Sequence, residues 1–304
     1  MDYVLTAQGL GKRYGRFRAL DNFSMHVPRG AIYGFVGKNG AGKTTLIRLI
    51  CGLQRPTAGD FTLYGRPGRS RSVVKSRRRM GAVVETPSIC MSLSAEDNLR
   101  QQYQILGLPS YEGIPELLTL VGLDKTGKKK AKHFSLGMKQ RLGIAVALCG
   151  SPDFLVLDEP VNGLDPQGII EIRELILRLN REKQITVLIS SHILGELAML
   201  ATHYGFIDNG HMVQEISAAD LENACRKCQQ VEVTDVRALA RVLDQMGLDY
   251  KIRSATTADI YGQPSVTDLV LALSQEGCQL LSVRERDESL ESYYVNLVGG
   301  GRHD

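Results

Sequence analysis

A glycine-rich segment between an apolar run and an amphipathic run constrains the fold more than any other feature. The run before it, Ile32–Val36, is typical of a buried strand, and the run after it, Thr44–Cys51, has apolar residues at helical spacing. The segment itself consists of Gly37, Lys38, Asn39, Gly40, Ala41, Gly42, Lys43 and Thr44. A strand, a tight turn and a helix in this order bring backbone N–H groups and the positive end of a helix dipole together, which predicts an anion site in an α/β protein.

The residue types in this segment indicate a binding site for a nucleoside triphosphate. It matches the pattern Gly-x-x-x-x-Gly-Lys-Ser/Thr, in which the glycines let backbone N–H groups approach phosphates. Lys43 would supply a positive charge to the β- and γ-phosphates, and the Thr44 hydroxyl would bind Mg²⁺. The simpler interpretation, a glycine-rich connection with a surface lysine, does not account for the strand and helix on either side.

Two acids follow a second apolar strand. Phe154–Leu157 is continuously apolar and runs directly into Asp158 and Glu159. Parallel strands end at a common edge of the sheet, so these carboxylates should lie near the phosphate segment. We expect Asp158 to bind Mg²⁺ and Glu159 to orient or deprotonate the attacking water. Taken alone, the pattern would fit a buried strand that simply meets solvent.

A third strand, Thr186–Ser190, leads to an imidazole at the same edge. His192 follows it by two residues and could hydrogen-bond the γ-phosphate. A lone histidine more often has a structural role, but the position at the predicted catalytic edge favours a functional one.

The order of patterns along the chain predicts two domains, 1–217 and 218–304. Residues 3–32 have the pattern of short alternating strands, and residues 87–150 are mostly helical in pattern. Strands that alternate with helices in the same domain predict a parallel sheet. The C-terminal segment reads as βαββαβ followed by a helix near residues 288–297, a small α+β module.

Composition excludes several classes of protein. The 304 residues carry a formal net charge of +4, short of the basic stripe of a dedicated nucleic-acid binder. Basic tracts over residues 66–79 and 125–132 lack interleaved aromatic residues, so solvated surface is preferred over contact with nucleic acid or lipid headgroups. No apolar stretch approaches the roughly 18 residues of a membrane span, and no secretory signal is evident, so a cytoplasmic protein is expected.

Cysteine usage indicates reduced thiols rather than disulfides. Cys225 and Cys228 form one C-x-x-C, which could be redox-active or half of a zinc site. Further ligands are missing nearby, so we interpret the pair as two thiols on adjacent turns of a helix.

One further segment indicates a family. Phe134–Arg141 resembles the signature Leu-Ser-Gly-Gly-Gln of ABC ATPases and shortly precedes the strand with two acids, as in that family. Ser135 is placed to cap a helix and to form a second anion site with its free N–H groups. The resemblance covers about residues 3–212. It implies a P-loop NTPase with a RecA-like parallel core, an antiparallel β subdomain and a helical subdomain that carries the signature.

The resemblance also implies partners and further roles. In the family the signature closes over a nucleotide held by another subunit, so this chain should form an ATP-sandwich dimer with a second copy. Tyr14 corresponds to the aromatic residue that stacks on adenine, residues 162–165 to the D-loop and His192 to the switch histidine. The helical region from about residue 87 to 120 corresponds to the surface where the family docks a membrane permease.

Three residues depart from the family pattern. Leu136 and Met138 replace the usual Gly and Gln of the signature, and a left-handed backbone at Leu136 would be strained. Glu85 replaces a glutamine that senses Mg²⁺ and γ-phosphate; a carboxylate could bind the metal more strongly but would repel phosphate without it. These changes, with the C-terminal extension, resemble the branch of bacitracin-export and lantibiotic-immunity ATPases.

The sequence therefore predicts the ATP-hydrolysing subunit of an ABC transporter, peripheral on the inner face of the plasma membrane and without membrane insertion, which exports a peptide antibiotic or another amphipathic compound. A soluble ABC ATPase acting on ribosomes or DNA is the alternative, and a metal-free nucleotide sensor is a third. The predicted nucleotide-binding residues are Tyr14, Gly37, Lys38, Asn39, Gly40, Ala41, Gly42, Lys43, Thr44, Thr45, Ser135, Gly137 and Asp165. The predicted catalytic residues are Glu159 and His192, and the predicted Mg²⁺ ligands are Thr44, Asp158 and Glu85.

Overall fold

The computed structural model describes residues 2–225, 228–262, 264–286 and 290–299. The chain divides into two compact units, Met1–Ala218 and Ala219–Asp304. No helix among the described residues is both long and apolar enough to span a bilayer.

The first unit contains ten strands and seven α-helices in its described part. In chain order they are β1 (Tyr3–Tyr14), β2 (Phe17–Pro28), β3 (Ile32–Val36), α1 (Lys43–Ile50), β4 (Ala58–Leu63), β5 (Arg66–Pro67), α2 (Val73–Arg77), β6 (Met80–Val83), α3 (Ala95–Leu106), α4 (Ile114–Leu120), α5 (Leu136–Leu148), β7 (Phe154–Asp158), α6 (Pro166–Lys183), β8 (Thr186–Ser191), α7 (Leu194–Ala198), β9 (His203–Asp208) and β10 (His211–Ser217).

A six-stranded sheet forms the centre of this unit, with strand order β10-β9-β3-β8-β7-β6. β3 and β6–β9 are parallel, and β10 pairs antiparallel to β9 at the edge. Every residue of β3, β7 and β8 is buried. Strands covered on both faces need continuous apolar runs, which explains why these three were recognisable from the sequence. The predicted α/β architecture is confirmed.

A second sheet, of order β2-β1-β4-β5, is antiparallel and shares a core with α1. The helix buries Leu46, Ile47, Leu49 and Ile50 in that core. Complete burial of such side chains is worth about 1.5–3 kcal/mol each. The helix that follows the glycine-rich segment is therefore fixed in position by packing along most of its length.

The helical region is attached closely to the segment after β6. A Cβ on Gly143 of α5 would lie 2.5 Å from a side-chain carbon of Pro87, so only glycine permits this approach. α3 begins with a capping box in which Ser94 and Asp97 satisfy each other's backbone N–H groups. The contact at Gly143 holds α5 against the segment that follows β6.

The second unit has the predicted βαββαβ order. It contains α8 (Ala218–Ala224), which begins at the boundary, then β11 (Cys228–Val233), α9 (Val236–Gln245), β12 (Asp249–Ile252), β13 (Thr257–Tyr261), α10 (Val266–Gln275), β14 (Leu280–Arg286) and α11 (Leu290–Gly299). Its strands form an antiparallel sheet of order β12-β13-β11-β14 with its own apolar core. Residues 288 and 289 of the predicted last helix lie outside the described residues.

The interpretation of the C-x-x-C pair as two turns of one helix was wrong. Cys225 follows the last residue of α8, and Cys228 is the first residue of β11. The polar sequence between them favoured helix, but Cys228 is buried as the start of a strand in the second unit, and tertiary pairing decides its conformation.

Candidate active site

The glycine-rich segment connects β3 to α1 in a conformation that glycine alone adopts easily. Gly40 and Gly42 have φ angles of 82° and 114°. A Cβ on Gly42 would lie 2.6 Å from the carbonyl oxygen of Ala19, so the loop also packs against β2. Gly42 provides no side-chain cap to α1. The first N–H groups of the helix are therefore left for an external acceptor, as an anion site requires.

Lys43 is the first residue of α1 and lies almost fully inside the loop, with 5% of its surface exposed. Its Nζ donates to the carbonyl oxygens of Gly37 at 2.5 Å and Lys38 at 3.2 Å. Nζ also lies 3.1 Å from Oε1 of Glu159, an ion pair without hydrogen-bond alignment. A buried ammonium needs such partners to offset its desolvation.

Asp158 ends β7 with 1% of its surface exposed. Its Oδ1 accepts a hydrogen bond of 2.6 Å from the Ser190 hydroxyl, whereas Oδ2 is buried and has no hydrogen-bond partner in the structure. A buried carboxylate oxygen left unsatisfied is costly. A hard cation with oxygen ligands would satisfy it, so the residues here fit Mg²⁺.

The protein does not provide a complete metal cage. Within the described ranges no three His, Cys, Asp or Glu side chains cluster as a metal site. Mg²⁺ usually takes one or two carboxylates and completes its octahedron with water and substrate phosphates. Water and nucleotide phosphates would therefore supply the ligands that Asp158 leaves open on a Mg²⁺ ion.

Glu159 lies between two cationic or potentially cationic groups. Its Oε2 is 2.8 Å from Nδ1 of His192, while Oε1 faces Lys43. Its backbone has φ 48°, and its N–H donates to the Ser190 carbonyl oxygen at 3.2 Å and the Ser190 hydroxyl at 3.0 Å. Left-handed backbone at a non-glycine residue costs about 1–3 kcal/mol and is concentrated at functional sites. The turn directs the carboxylate back over the edge of the sheet.

Ser190 connects the two acids, and no sequence pattern indicated this role. Its hydroxyl donates to Asp158 and accepts from the backbone of Glu159. Its place on β8, between β3 and β7, allows both contacts. Only the register between β7 and β8, which pairs Asp158 with Ser190, identifies it.

We expect Ser190→Ala to lower the free energy of unfolding by about 2 kcal/mol, because it leaves another oxygen of a buried carboxylate unsatisfied. Urea unfolding without nucleotide would measure this loss. Ser191→Ala is the matched control, since the Ser191 hydroxyl is also buried but serves only the backbone of Ile193. Equal losses in both variants would show that Ser190 does not hold Asp158 in place.

Two thiols of this unit, the partly buried Cys51 and the buried Cys149, have raised pKa values. Burial raises the pKa of Cys51, at the end of α1, to about 12, and the negative charge of Asp158 adds to the increase. Burial likewise raises the pKa of Cys149 to about 12. Since the thiolate is the nucleophile, neither residue offers nucleophilic chemistry near neutral pH.

The segment that resembles the signature begins α5. Ser135 has extended backbone geometry, and its hydroxyl accepts from the N–H of Met138 at 3.2 Å, the predicted helix cap. Leu136 is helical and does not have a positive φ, so the strain anticipated there is absent. Leu136 is nearly half exposed, and its side chain lies 3.4 Å from where a Cβ on Gly163 would be.

Two other predicted site residues, Asp165 and Tyr14, have contacts of their own. The Asp165 carboxylate accepts from the N–H of Gly168 at 3.2 Å and caps α6. Tyr14 ends β1 with 40% of its surface exposed, and its hydroxyl donates to the Gln54 side chain. In the described chain, the hydrogen bonds and ion pairs around Lys43 and Glu159 do not extend to Tyr14 or the signature segment.

Glu85 follows β6 and has a φ of 60°. Its carboxylate pairs with the guanidinium of Arg48, in the last turn of α1. The sequence singled out Glu85 but not Arg48, because the two residues are 37 positions apart. Thr44 and Thr45 lie in the first turn of α1 and are partly buried.

Comparison with known proteins places this geometry in a family. A family model described as ABC transporter matches residues 20–162. The bacitracin transport ATP-binding protein BcrA of Bacillus licheniformis is 39% identical over 306 residues, covering 99% of each chain. The chain belongs to the ABC transporter ATP-binding proteins. It is an ATPase subunit of a transporter, and its predicted fold and function class are confirmed.

One further relative and one solved structure are similar to a smaller part of this chain. The lantibiotic transport ATP-binding protein SrtF of Streptococcus pyogenes is 43% identical over 220 residues, which cover 72% of this chain and 93% of that one. A solved ATP-binding cassette, described as a dimer in a post-hydrolysis state bound to ADP and phosphate, superposes with a TM-score of 0.63. It is 23% identical and covers 70% of this chain and 98% of its own, a likeness of fold.

Proposed function

We propose that this ABC ATPase binds Mg²⁺ with ATP, closes with a second copy of itself around the nucleotides and drives a separate membrane permease that exports a peptide antibiotic or a similar amphipathic compound. The observation that carries the ATPase part is the position of Glu159, held between Lys43 and His192 beside the unsatisfied oxygen of Asp158.

ATP binding would rearrange the charges of this site. Without nucleotide, the ammonium of Lys43 has Glu159 as its counter-charge. The β- and γ-phosphates, received by the N–H groups at the start of α1, would replace that carboxylate as the partner of Lys43. Glu159 is then available to accept a proton from water, while His192 keeps its Oε2 oriented. Mg²⁺, when bound through Asp158 and Thr44, would neutralise charge that develops on the phosphates.

Release of the γ-phosphate would reverse the exchange. Lys43 loses one anionic partner, and Glu159 again becomes its nearest counter-charge. His192 lies on the segment between β8 and α7, so its hydrogen bond to Glu159 links the state of the nucleotide to that segment. Hydrolysis can therefore change the conformation of the subunit through groups that are already in contact.

The second anion site argues for a dimer. Ser135 caps α5 and Gly137 lies in its first turn, where the N–H groups that the cap does not use are available to an anion. Each chain has one phosphate segment and one signature segment. If the signature completes a nucleotide site, two chains in head-to-tail arrangement form two sites and a closed assembly. A solved cassette of the same fold is described as a dimer bound to ADP and phosphate, which supports a dimer here.

We expect Mg²⁺ and ATP to convert the Glu159→Gln chain from a species of 33.5 kDa to one of about twice that mass in light scattering after size exclusion. Adding Ser135→Arg should prevent the conversion, because a large cation would fill the second anion site. ATP binding by the monomer should remain, since its own phosphate segment is unchanged. A dimer that forms equally well with Ser135→Arg would contradict this role for the signature segment.

The transport part rests on two relatives, of which BcrA aligns over 99% of this chain and SrtF over 72%. BcrA is described as a bacitracin transport protein and SrtF as a lantibiotic transport protein. Both names refer to peptide antibiotics. A chain without a helix able to span a bilayer, in its described residues, would need a membrane partner to move such a cargo. These relatives do not favour the alternative of an ATPase acting on ribosomes or DNA.

Where a gene adjacent to that of this chain encodes a membrane protein, expression of the two together should raise the bacitracin concentration that inhibits a sensitive bacterium. The Glu159→Gln chain should give no protection, because transport against a gradient needs turnover. Both chains should also be found at the inner face of the plasma membrane only when the membrane protein is present. Protection by the Glu159→Gln chain, or the absence of protection against every peptide antibiotic tested, would refute the transport proposal.

A further inference from the structure

The basic tract over residues 66–79 has no role in the proposed function. It contains seven basic residues and no Asp or Glu. Arg69 and Arg77 donate to backbone carbonyl oxygens of β4 and α1. Arg79 forms an ion pair with Asp153. Four basic side chains of the tract therefore remain without an ion-pair partner among the described acids.

Three of these four residues share one side of the short helix α2. Arg71 precedes this helix, Lys75 lies in it and Arg78 follows it, and all three are exposed. The backbone is helical from Ser72 to Arg78. Because residues three and four positions apart are neighbours on a helix surface, the three side chains lie on the same side. Their charges therefore project together into solvent.

A fourth guanidinium and an apolar side chain complete this surface. Arg66 donates to the carbonyl oxygen of Ser72 at 3.3 Å, which holds it at the start of α2. Val74 lies between the basic positions of α2 and is 54% exposed. The opposite side of this helix packs into the unit through buried Val73 and Ser76. We define the basic patch as Arg66, Arg71, Val74, Lys75 and Arg78.

The composition of the basic patch fits an anionic bilayer surface better than a nucleic acid. Basic side chains are attracted to anionic headgroups, and an apolar side chain among them can enter the boundary with the acyl chains. Single-stranded nucleic acids are usually held by aromatic side chains, and residues 66–79 contain none. The sequence alone favoured a solvated surface for this tract, but it did not show that Val74 is exposed among the charges.

We propose that the basic patch contacts anionic phospholipid headgroups beside the permease and so orients the subunit on the bilayer. The choice of a membrane rests on the proposed function, whereas the patch itself does not depend on nucleotide. Each basic residue near an anionic surface raises the partition constant about fivefold, so four give about 10³ M⁻¹. A single myristoyl chain, with about 10⁴ M⁻¹, already binds only marginally. The contact would therefore orient a subunit that the permease has recruited, without recruiting it alone.

Sedimentation with vesicles in the absence of the permease measures this contact. The full chain would be mixed with vesicles of about one third phosphatidylglycerol in phosphatidylcholine, at about 0.1 M salt, where screening acts over about 10 Å. The parent should bind these vesicles with a constant of about 10³ M⁻¹ and should not bind phosphatidylcholine alone. Arg71→Gln, Lys75→Gln and Arg78→Gln together should lower the constant about 100-fold, at about fivefold for each charge.

A matched variant tests whether position or net charge matters. Lys125→Gln, Lys128→Gln and Lys129→Gln together remove the same charge from the other basic tract. These lysines are also exposed, but residues 125–132 expose no large apolar side chain. This variant should bind vesicles within about twofold of the parent, because its lysines lie outside the basic patch.

Val74→Ser tests the apolar contribution while every charge is kept. It should lower the constant about threefold, close to the loss of one buried CH₂ group. Circular dichroism and ATP binding would establish that this variant and both triple variants are folded. An unchanged constant in Val74→Ser would overturn the assignment to lipid, because contact with phosphate would then be sufficient.

Three further outcomes would overturn the proposal. They are equal losses from the two basic tracts, no binding of the parent to anionic vesicles, and tighter binding of a DNA duplex than of vesicles at equal phosphate concentration. Each leaves the proposed function intact, because ATP hydrolysis and antibiotic protection are measured without these vesicles. Loss of hydrolysis or protection in the parent would refute the proposed function whatever the vesicles show.

Discussion

Glu159→Gln should reduce the rate of ATP hydrolysis by at least about 100-fold while ATP still binds. The amide keeps the size of the side chain and a hydrogen bond to His192, but it cannot accept a proton from water. The counter-charge that Lys43 loses is replaced by the phosphates once ATP is bound, so affinity should not fall. Phosphate release and equilibrium binding of ATP, measured on the same preparation, would separate the two effects.

Glu174→Gln provides the comparison for this experiment. Glu174 is exposed on α6, and the same change removes one charge from the same unit without touching the sheet edge. Its rate should match that of the parent. A Glu159→Gln chain that turns over ATP within a few-fold of the parent would show that another group activates water. Loss of ATP binding in that variant would instead indicate that Glu159 supports the phosphate segment.

The central fold was predictable because burial and chemistry agree in the same short segments. β3, β7 and β8 are buried on both faces, so each contains a short run of mostly apolar residues. Gly37, Asp158 and His192, at the carboxyl ends of these strands, differ sharply from the apolar residues. Parallel strands bring such residues together at one edge, and the site around Lys43 and Glu159 follows from that rule.

Contacts between distant segments were not predictable in the same way. Ser190 holds both acids because of the register between β7 and β8, and Arg48 meets Glu85 because α1 and the loop after β6 are adjacent. Neither contact produces a recognisable pattern in the neighbouring sequence. At Cys228 the neighbouring sequence predicted a helix, and the prediction was wrong. Pairing with β14 makes this residue part of a strand. Long-range pairing overrode local preference there.

Gly42→Ala should destabilise the nucleotide-free chain by about 3–5 kcal/mol, the second large effect we expect. A φ of 114° is unfavourable for alanine, and the new Cβ would lie 2.6 Å from the Ala19 carbonyl oxygen of β2. Backbone cannot yield as a flexible side chain can, so the loop must move. That movement would displace the N–H groups of α1 and the ammonium of Lys43, and ATP binding should be lost as well. Urea unfolding and ATP titration would measure both losses.

Gly40→Ala distinguishes packing from backbone strain in this test. Gly40 also has a positive φ, of 82°, but a Cβ there would have open space, with no atom within 4 Å. The Gly40→Ala change should lower the free energy of unfolding only by the cost of left-handed backbone at alanine, about 1–2 kcal/mol. A similar loss in both variants would mean that glycine is needed here for backbone freedom alone. A loss at least twofold larger for Gly42→Ala is the result expected when contact with β2 adds to the strain of its larger φ, so that the antiparallel sheet supports the catalytic edge.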